Sequence, residues 1–158
     1  MNRIVDIFRF TFISPESAVI LMLLVGASAF PDLFSALGEK IKDNDAVSQW
    51  MPTLPILFCG ITFRLSSKVR APFEAGNREL YQWSQYNKIV DRLLASYILC
   101  IICCLASIYL WVFAGDINYL LIAQLSLTSL LVSALVTFNV FIASHKIREV
   151  MELYGSSR

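Results

Sequence analysis

RLSSKVRAPFEAGNRELYQWSQYNKIVDR, residues Arg64 to Arg92, is the only long polar interval in an otherwise apolar chain. It carries six of the thirteen Lys and Arg residues, and apolar runs flank it on both sides. Lys and Arg near membrane ends are held on the cytoplasmic side, so this segment sets which way the flanking helices cross a bilayer. It is also the largest surface on which a soluble partner or lipid headgroups can act.

Working outward, the composition agrees with a membrane protein. The 158 residues are 57% hydrophobic and only 16% charged, where a soluble domain carries about a quarter charged residues. The mean hydropathy is +0.64. A crossing needs ~20 mostly apolar residues in a helix, and the chain offers four candidates, predicted at residues 15–37, 50–64, 93–113 and 117–144. The first opens on Ser14-Pro15-Glu16, a cap, a proline at the first helical position and an acid in the first turn. Arg3 and Arg9 ahead of an apolar run, with Ala27-Ser28-Ala29 behind it, also resemble a signal peptide. Glu16 beside that run favours an uncleaved helix. Residues 1–13 suit a short interfacial segment or a frayed helix start.

Residues 32–49 read as a polar loop. The second candidate is the weakest, because only Ala46 to Phe63 is free of charge and Pro52 and Pro55 interrupt it. It spans if Arg64 snorkels to the headgroups; a re-entrant loop is the alternative. Leu93 to Phe113 and Ile117 to Ser144 are clean runs, joined by Ala114-Gly115-Asp116, and residues 145–158 read as a polar tail. With four crossings, eleven of the thirteen basic residues fall on one side and only Lys40 and Lys42 on the other. Both termini and the connector, residues 64–92, are therefore expected in the cytoplasm. The fold class expected is an all-α, single-domain, multi-pass membrane protein.

Inside the connector, Pro72 and Gly76 break the helix and Asn77 can cap a new one. Nothing stops that helix before Phe113, so the third helix is expected to extend into the cytoplasm. There it would present Arg78, Trp83, Tyr86, Lys88 and Arg92, among which the aromatic and Arg side chains are the types that anchor interfaces, or the set forms a headgroup belt. In the third crossing Ser96, Cys100, Cys103 and Ser107 share a helical face. In the fourth, Ser126, Ser129, Ser133 and Thr137 do the same. Small, weakly polar faces suit close packing of helices, within a chain or between copies; a hydrated pore lining is the sharper reading.

Catalysis finds little support. Cys100-x-x-Cys103 looks like a redox or metal motif, but such chemistry needs a stabilised thiolate, and these residues lie deep in an apolar helix. One histidine, His145, cannot supply paired haem ligands or most metal sites. No catalytic residue, cofactor site or metal site is expected.

The layout resembles the small four-helix membrane subunits of bacterial anti-phage systems, the Kiwa type above all, with Rex-type phage-exclusion proteins similar in plan. ILFCGITFRLSSKVR, residues 56–70, leading into the connector carries the likeness most directly, and the resemblance covers most of the chain as topology. It implies an inner-membrane homo-oligomer, a tetramer, that senses membrane disturbance on phage attachment. A Kiwa-like subunit is expected to recruit a cytoplasmic DNA-binding effector, leaving this chain without direct nucleic-acid contact. A Rex-like one is expected to depolarise the membrane as an ion-conducting channel.

Overall fold

The computed structural model describes residues 14–70, 86–113 and 115–155. Every regular element among them is a helix: α1 (Pro15–Ala29), α2 (Pro31–Asp43), α3 (Asp45–Trp50), α4 (Thr53–Arg70), α5 (Tyr86–Phe113) and α6 (Tyr119–Gly155). Three stretches are long and apolar enough to cross a membrane: Asp45–Ser67, Lys88–Phe113 and Tyr119–Ile147. A fourth appears if the bent pair α1–α2 is one broken span.

The first helix starts where the sequence signals it. The Ser14 side chain accepts the Ser17 N–H at 3.3 Å, and Pro15 occupies the first turn. It does not run on to residue 37. The chain breaks at Phe30 (φ −131°, ψ 62°) and turns by 104° between α1 and α2. Pro31 is the cause, since a residue before proline is pushed out of the helical region. At ~1.5 Å per residue, α1 reaches only ~22 Å, short of the ~30 Å hydrocarbon core.

The expected polar loop 32–49 is also helical. Asp32 in the first turn and Lys40 and Lys42 in the last complement the dipole of α2. Phe34 and Gly38 share a face one turn apart and are both buried, while Asp32, Glu39, Lys40 and Asp43 face outward. That buried face lies on the start of α6. Gly38 approaches so closely that a Cβ there would collide with the Tyr119 carbonyl. Lys42 Nζ donates to the Gly115 carbonyl at 3.3 Å and sits 5.1 Å from the Tyr119 ring centre. The polar residues of α2 therefore clamp the turn between α5 and α6.

Helix α6 is the post on which the others lean. α1 runs antiparallel to it, with Glu16 beside Asn139 at one end and Ala27 packed with Ala123 at the other. α5 packs antiparallel as well, placing Leu93, Cys100 and Cys103 in one cluster with Val132, Val136, Val140 and Ile147. α4 lies parallel to α6, with Thr62 opposite Thr137. The helix also continues to Gly155, so the expected tail extends α6 beyond its apolar stretch. The described part of α5, the third apolar crossing of the sequence, starts at Tyr86; the segment from Asn77 lies outside the described residues.

The close approach at Gly38 carries a stability prediction. Gly38→Ala should force α2 off α6 and cost about 1–3 kcal/mol, read as a lowered midpoint of unfolding in mixed micelles. Gly60 has open space around its Cα, so Gly60→Ala should be neutral or stabilise by up to about 1 kcal/mol through helix propensity.

Candidate functional site

Two features gather the polar side chains of this apolar protein: an interior seam between α4, α5 and α6, and a cleft at the end where α5 begins and α6 leaves the bundle.

The seam follows from two prolines. Pro55 has no N–H, so the Met51 carbonyl loses its usual partner four residues on. The Ser107 hydroxyl of α5 donates to that carbonyl at 3.2 Å. One turn along, Cys104 Sγ lies 3.2 Å from the Pro55 carbonyl. Thr53 Oγ1 donates back to the Trp50 carbonyl at 2.5 Å, closing the start of α4. Broken helices persist in apolar surroundings only when neighbouring Ser and Thr side chains re-satisfy the freed backbone in this way.

The seam continues between α4 and α6. Thr137 Oγ1 is 2.8 Å from the Ser133 carbonyl and 3.2 Å from the Phe58 carbonyl, and 3.0 Å from Thr62 Oγ1. With its one proton directed at a carbonyl, Thr137 accepts from Thr62. Ser129 and Ser133 are buried and donate to carbonyls of their own helix, those of Ser126 and Leu130, at 3.0 Å. Ser126 is buried with no partner for its hydroxyl among the described residues, and it borders a cavity of about 20 Å³ shared with Lys42 and Ser107. Cys100 and Cys103 are buried beside Cys59 of α4. No group of three or more metal-ligating side chains with metal-binding geometry occurs among the described residues. Apart from Ser96, which lines the cleft, the two small-residue faces thus pack inside one chain.

The cleft holds about 450 Å³ and lies between the first turns of α5 and the later turns of α6. Ile89, Arg92 and Ser96 line it from α5; Asn139, Ile142 and Lys146 line it from α6. Those spacings of three and four residues put each set on one helical face. Behind the cleft Asn139 Nδ2 donates to Glu16 Oε1 at 2.7 Å, and Glu16 is only 2% exposed. Among the residues anticipated at the partner surface, Lys88 and Arg92 are exposed on the first turns of α5. Tyr86 opens that helix, while Arg78 and Trp83 lie outside the described residues.

The sequence places Glu16 in the first turn of a helix beside an apolar run, with nothing to pair it with Asn139, a polar residue in a distant apolar segment. An acid next to a long apolar run was the available signal. Its partner could not be named without the packing of α1 on α6. Thr62 and Ser66 were passed over for the same reason, although they are almost fully buried. No known family matches the chain, and no curated relative or solved structure is similar to it.

The seam makes Ser107 a stability determinant. Ser107→Ala should cost about 1–3 kcal/mol by stranding a buried carbonyl, measured as a shift in micellar unfolding. Ser28, exposed and bonded to the Val25 carbonyl of its own helix, serves as the control. Ser28→Ala should stay within about 0.5 kcal/mol of wild type.

Proposed function

We propose that this chain is a non-enzymatic, multi-pass membrane subunit that docks a soluble partner at its cation-rich end and reports the state of the bilayer to it. The supporting observation is the separation of charge between the two ends. Arg64, Lys88, Arg92, His145 and Lys146 are exposed where α4 ends, α5 begins and α6 leaves. Asp32, Glu39, Asp43, Asp45 and Asp116 are exposed at the opposite end, with Lys40 as the exposed cation among them. Between them runs a belt of exposed aliphatic and aromatic side chains, among them Leu57, Phe63, Ile102, Leu105 and Phe138. Under the rule that basic ends stay in the cytoplasm, the first end faces the cytoplasm and carries both termini, in the inner membrane of a bacterium.

Docking is favoured over conduction because the hydroxyls of Thr62, Ser107, Ser129, Ser133 and Thr137 in the seam bond to other protein groups rather than line an open channel. In this reading the subunit assembles as a homo-oligomer through its aliphatic faces, four copies by the resemblance in plan. Repetition of the connector around an axis then makes a weak contact avid. The anti-phage setting, with a cytoplasmic effector that handles nucleic acid in place of this chain, comes from the same resemblance.

Orientation is testable with reporter fusions: Lys42 and Asp116 should read extracytoplasmic, Gly76 and Arg158 cytoplasmic. Opposite compartments for Gly76 and Arg158 would sink the four-crossing reading. Docking is tested by replacing Arg78, Trp83 and Tyr86 with Ala. Oligomer size in detergent should persist while capture of the cytoplasmic partner fails; a monomeric wild type, or undiminished capture by the variant, refutes it.

A further inference from the structure

We propose that the cleft between α5 and α6 is a binding site for one anionic phospholipid, its phosphate held by Arg92 and Lys146 and its acyl chain lying along the apolar walls. The inference rests on the reading that these helices span a bilayer, and it names the first ligand of the cation-rich end.

Three observations carry it. The cleft is lateral: Arg92, Ile142 and Lys146 are exposed beside it, on helices whose stretches Lys88–Phe113 and Tyr119–Ile147 are long and apolar enough to cross. The medium at its mouth is therefore lipid and headgroup. Its volume of about 450 Å³ is in the range of small-molecule sites, ~300–1,000 Å³. Its charge is complementary to a phosphate diester, and basic pockets between helices on the cytoplasmic side are the form such lipid sites take.

The order of groups along the cleft follows the order of groups in a glycerophospholipid. Arg92 offers a planar fork for two phosphate oxygens, and Lys146 adds a compact charge from the facing helix. Ser96 lies one turn deeper than Arg92, ~6 Å along the axis, where its hydroxyl can donate to an ester carbonyl. Ile142 and Val140, ~6 and ~9 Å deeper than Lys146 along α6, supply apolar wall, while Ile89 lies on the headgroup side of Arg92. Asn139 is held by Glu16, which fixes the polar corner of the site and ties α1 to it. The carboxylates nearest in sequence are Asp91, which already has a partner, and exposed Glu149, one turn beyond Lys146. A bound lipid would thus clamp α5 to α6 at the membrane surface, and its loss on disturbance of the leaflet would free the helix that leads out of the connector.

The experiment titrates purified full-length chain with phosphatidylglycerol or phosphatidylcholine, and counts bound lipids by native mass spectrometry. Wild type should retain one phosphatidylglycerol in preference to phosphatidylcholine. Arg92→Gln with Lys146→Gln should weaken phosphatidylglycerol binding by about 25-fold, each cation near an anionic headgroup contributing about a fivefold factor. Ala143→Phe fills the cleft with both cations intact, and should abolish retention. Arg64→Gln with Lys88→Gln changes exposed cations outside the cleft and should leave retention unchanged. The proposal is overturned by wild-type binding in the Arg92/Lys146 variant, by equal loss in the Arg64/Lys88 variant, or by displacement of the lipid by millimolar inorganic phosphate. Membrane extraction of the wild type separates the two readings. Chain released by alkaline carbonate overturns both the membrane reading and the lipid site, whereas a membrane-embedded chain without the preference overturns the lipid site alone.

Discussion

An apolar environment does not tolerate an unpaired backbone carbonyl, and this constraint organises the bundle. Pro52 and Pro55 cut the amide ladder at the start of α4, in the least apolar of the candidate spans. Elsewhere water would repair the damage. Here α5 repairs it, because Ser107 reaches the Met51 carbonyl that Pro55 leaves unpaired, and Cys104 adds a second contact at the Pro55 carbonyl one turn along. The repair fixes the rotation of both helices, since each donor must stand opposite one acceptor. Polar side chains in a greasy helix thereby specify a helix pairing that hydropathy alone leaves undetermined.

With α4 and α5 registered on each other, α6 closes the arrangement through small and β-branched side chains. Val132, Val136 and Val140 recur every four residues and are almost wholly buried, a ridge against which neighbouring helices pack closely. Hydroxyls at Ser129 and Ser133 bond within α6, so the tight interface leaves them satisfied. Glu16 and Asn139 tie α1 to the same post. A buried carboxylate is costly unless hydrogen-bonded, and the amide opposite lowers that cost while fixing where α1 begins. At the other end Lys42, through Gly115 and Tyr119, holds α2 across the hairpin turn. The specific polar contacts of α6 thus fall at its first turn and around Thr137 and Asn139, and the close packing runs through Val132, Val136 and Val140 between and beside them.

This division shapes what the protein offers to its surroundings. Apart from Ser96 at the cleft, the small-residue faces pack inside the chain, so in the proposed mechanism assembly and partner contact fall to the aliphatic belt and the charged ends. The end bearing Arg92 and Lys146 combines cations with an apolar cleft, as the headgroup boundary of a bilayer does. Lipid, connector and partner therefore meet at one place in the proposed mechanism.

By itself the sequence determined the all-helical class, the segments apolar enough to cross, the helix start at Ser14-Pro15 and the asymmetry of charge along the chain. These are sums or caps over neighbouring residues, and hydropathy, dipole and capping act locally. Pro31 was equally visible, yet the apolar run on both sides of it suggested one helix to residue 37. The preference of Phe30 against helical geometry won, because a clamped α2 buries Phe34 and Gly38 on α6 instead. Residues 32–49 looked like a loop because their charges lie on one face of a helix whose other face had no visible partner. Only the tertiary structure decided that Glu16 meets Asn139, that Ser107 serves Met51, and that Ile89, Arg92 and Ser96 open onto Asn139 and Lys146. Each of these pairings joins residues far apart in the chain, and depends on how each helix is rotated and shifted against the next. Those quantities are set by side-chain packing across the interface, which no single segment of sequence contains.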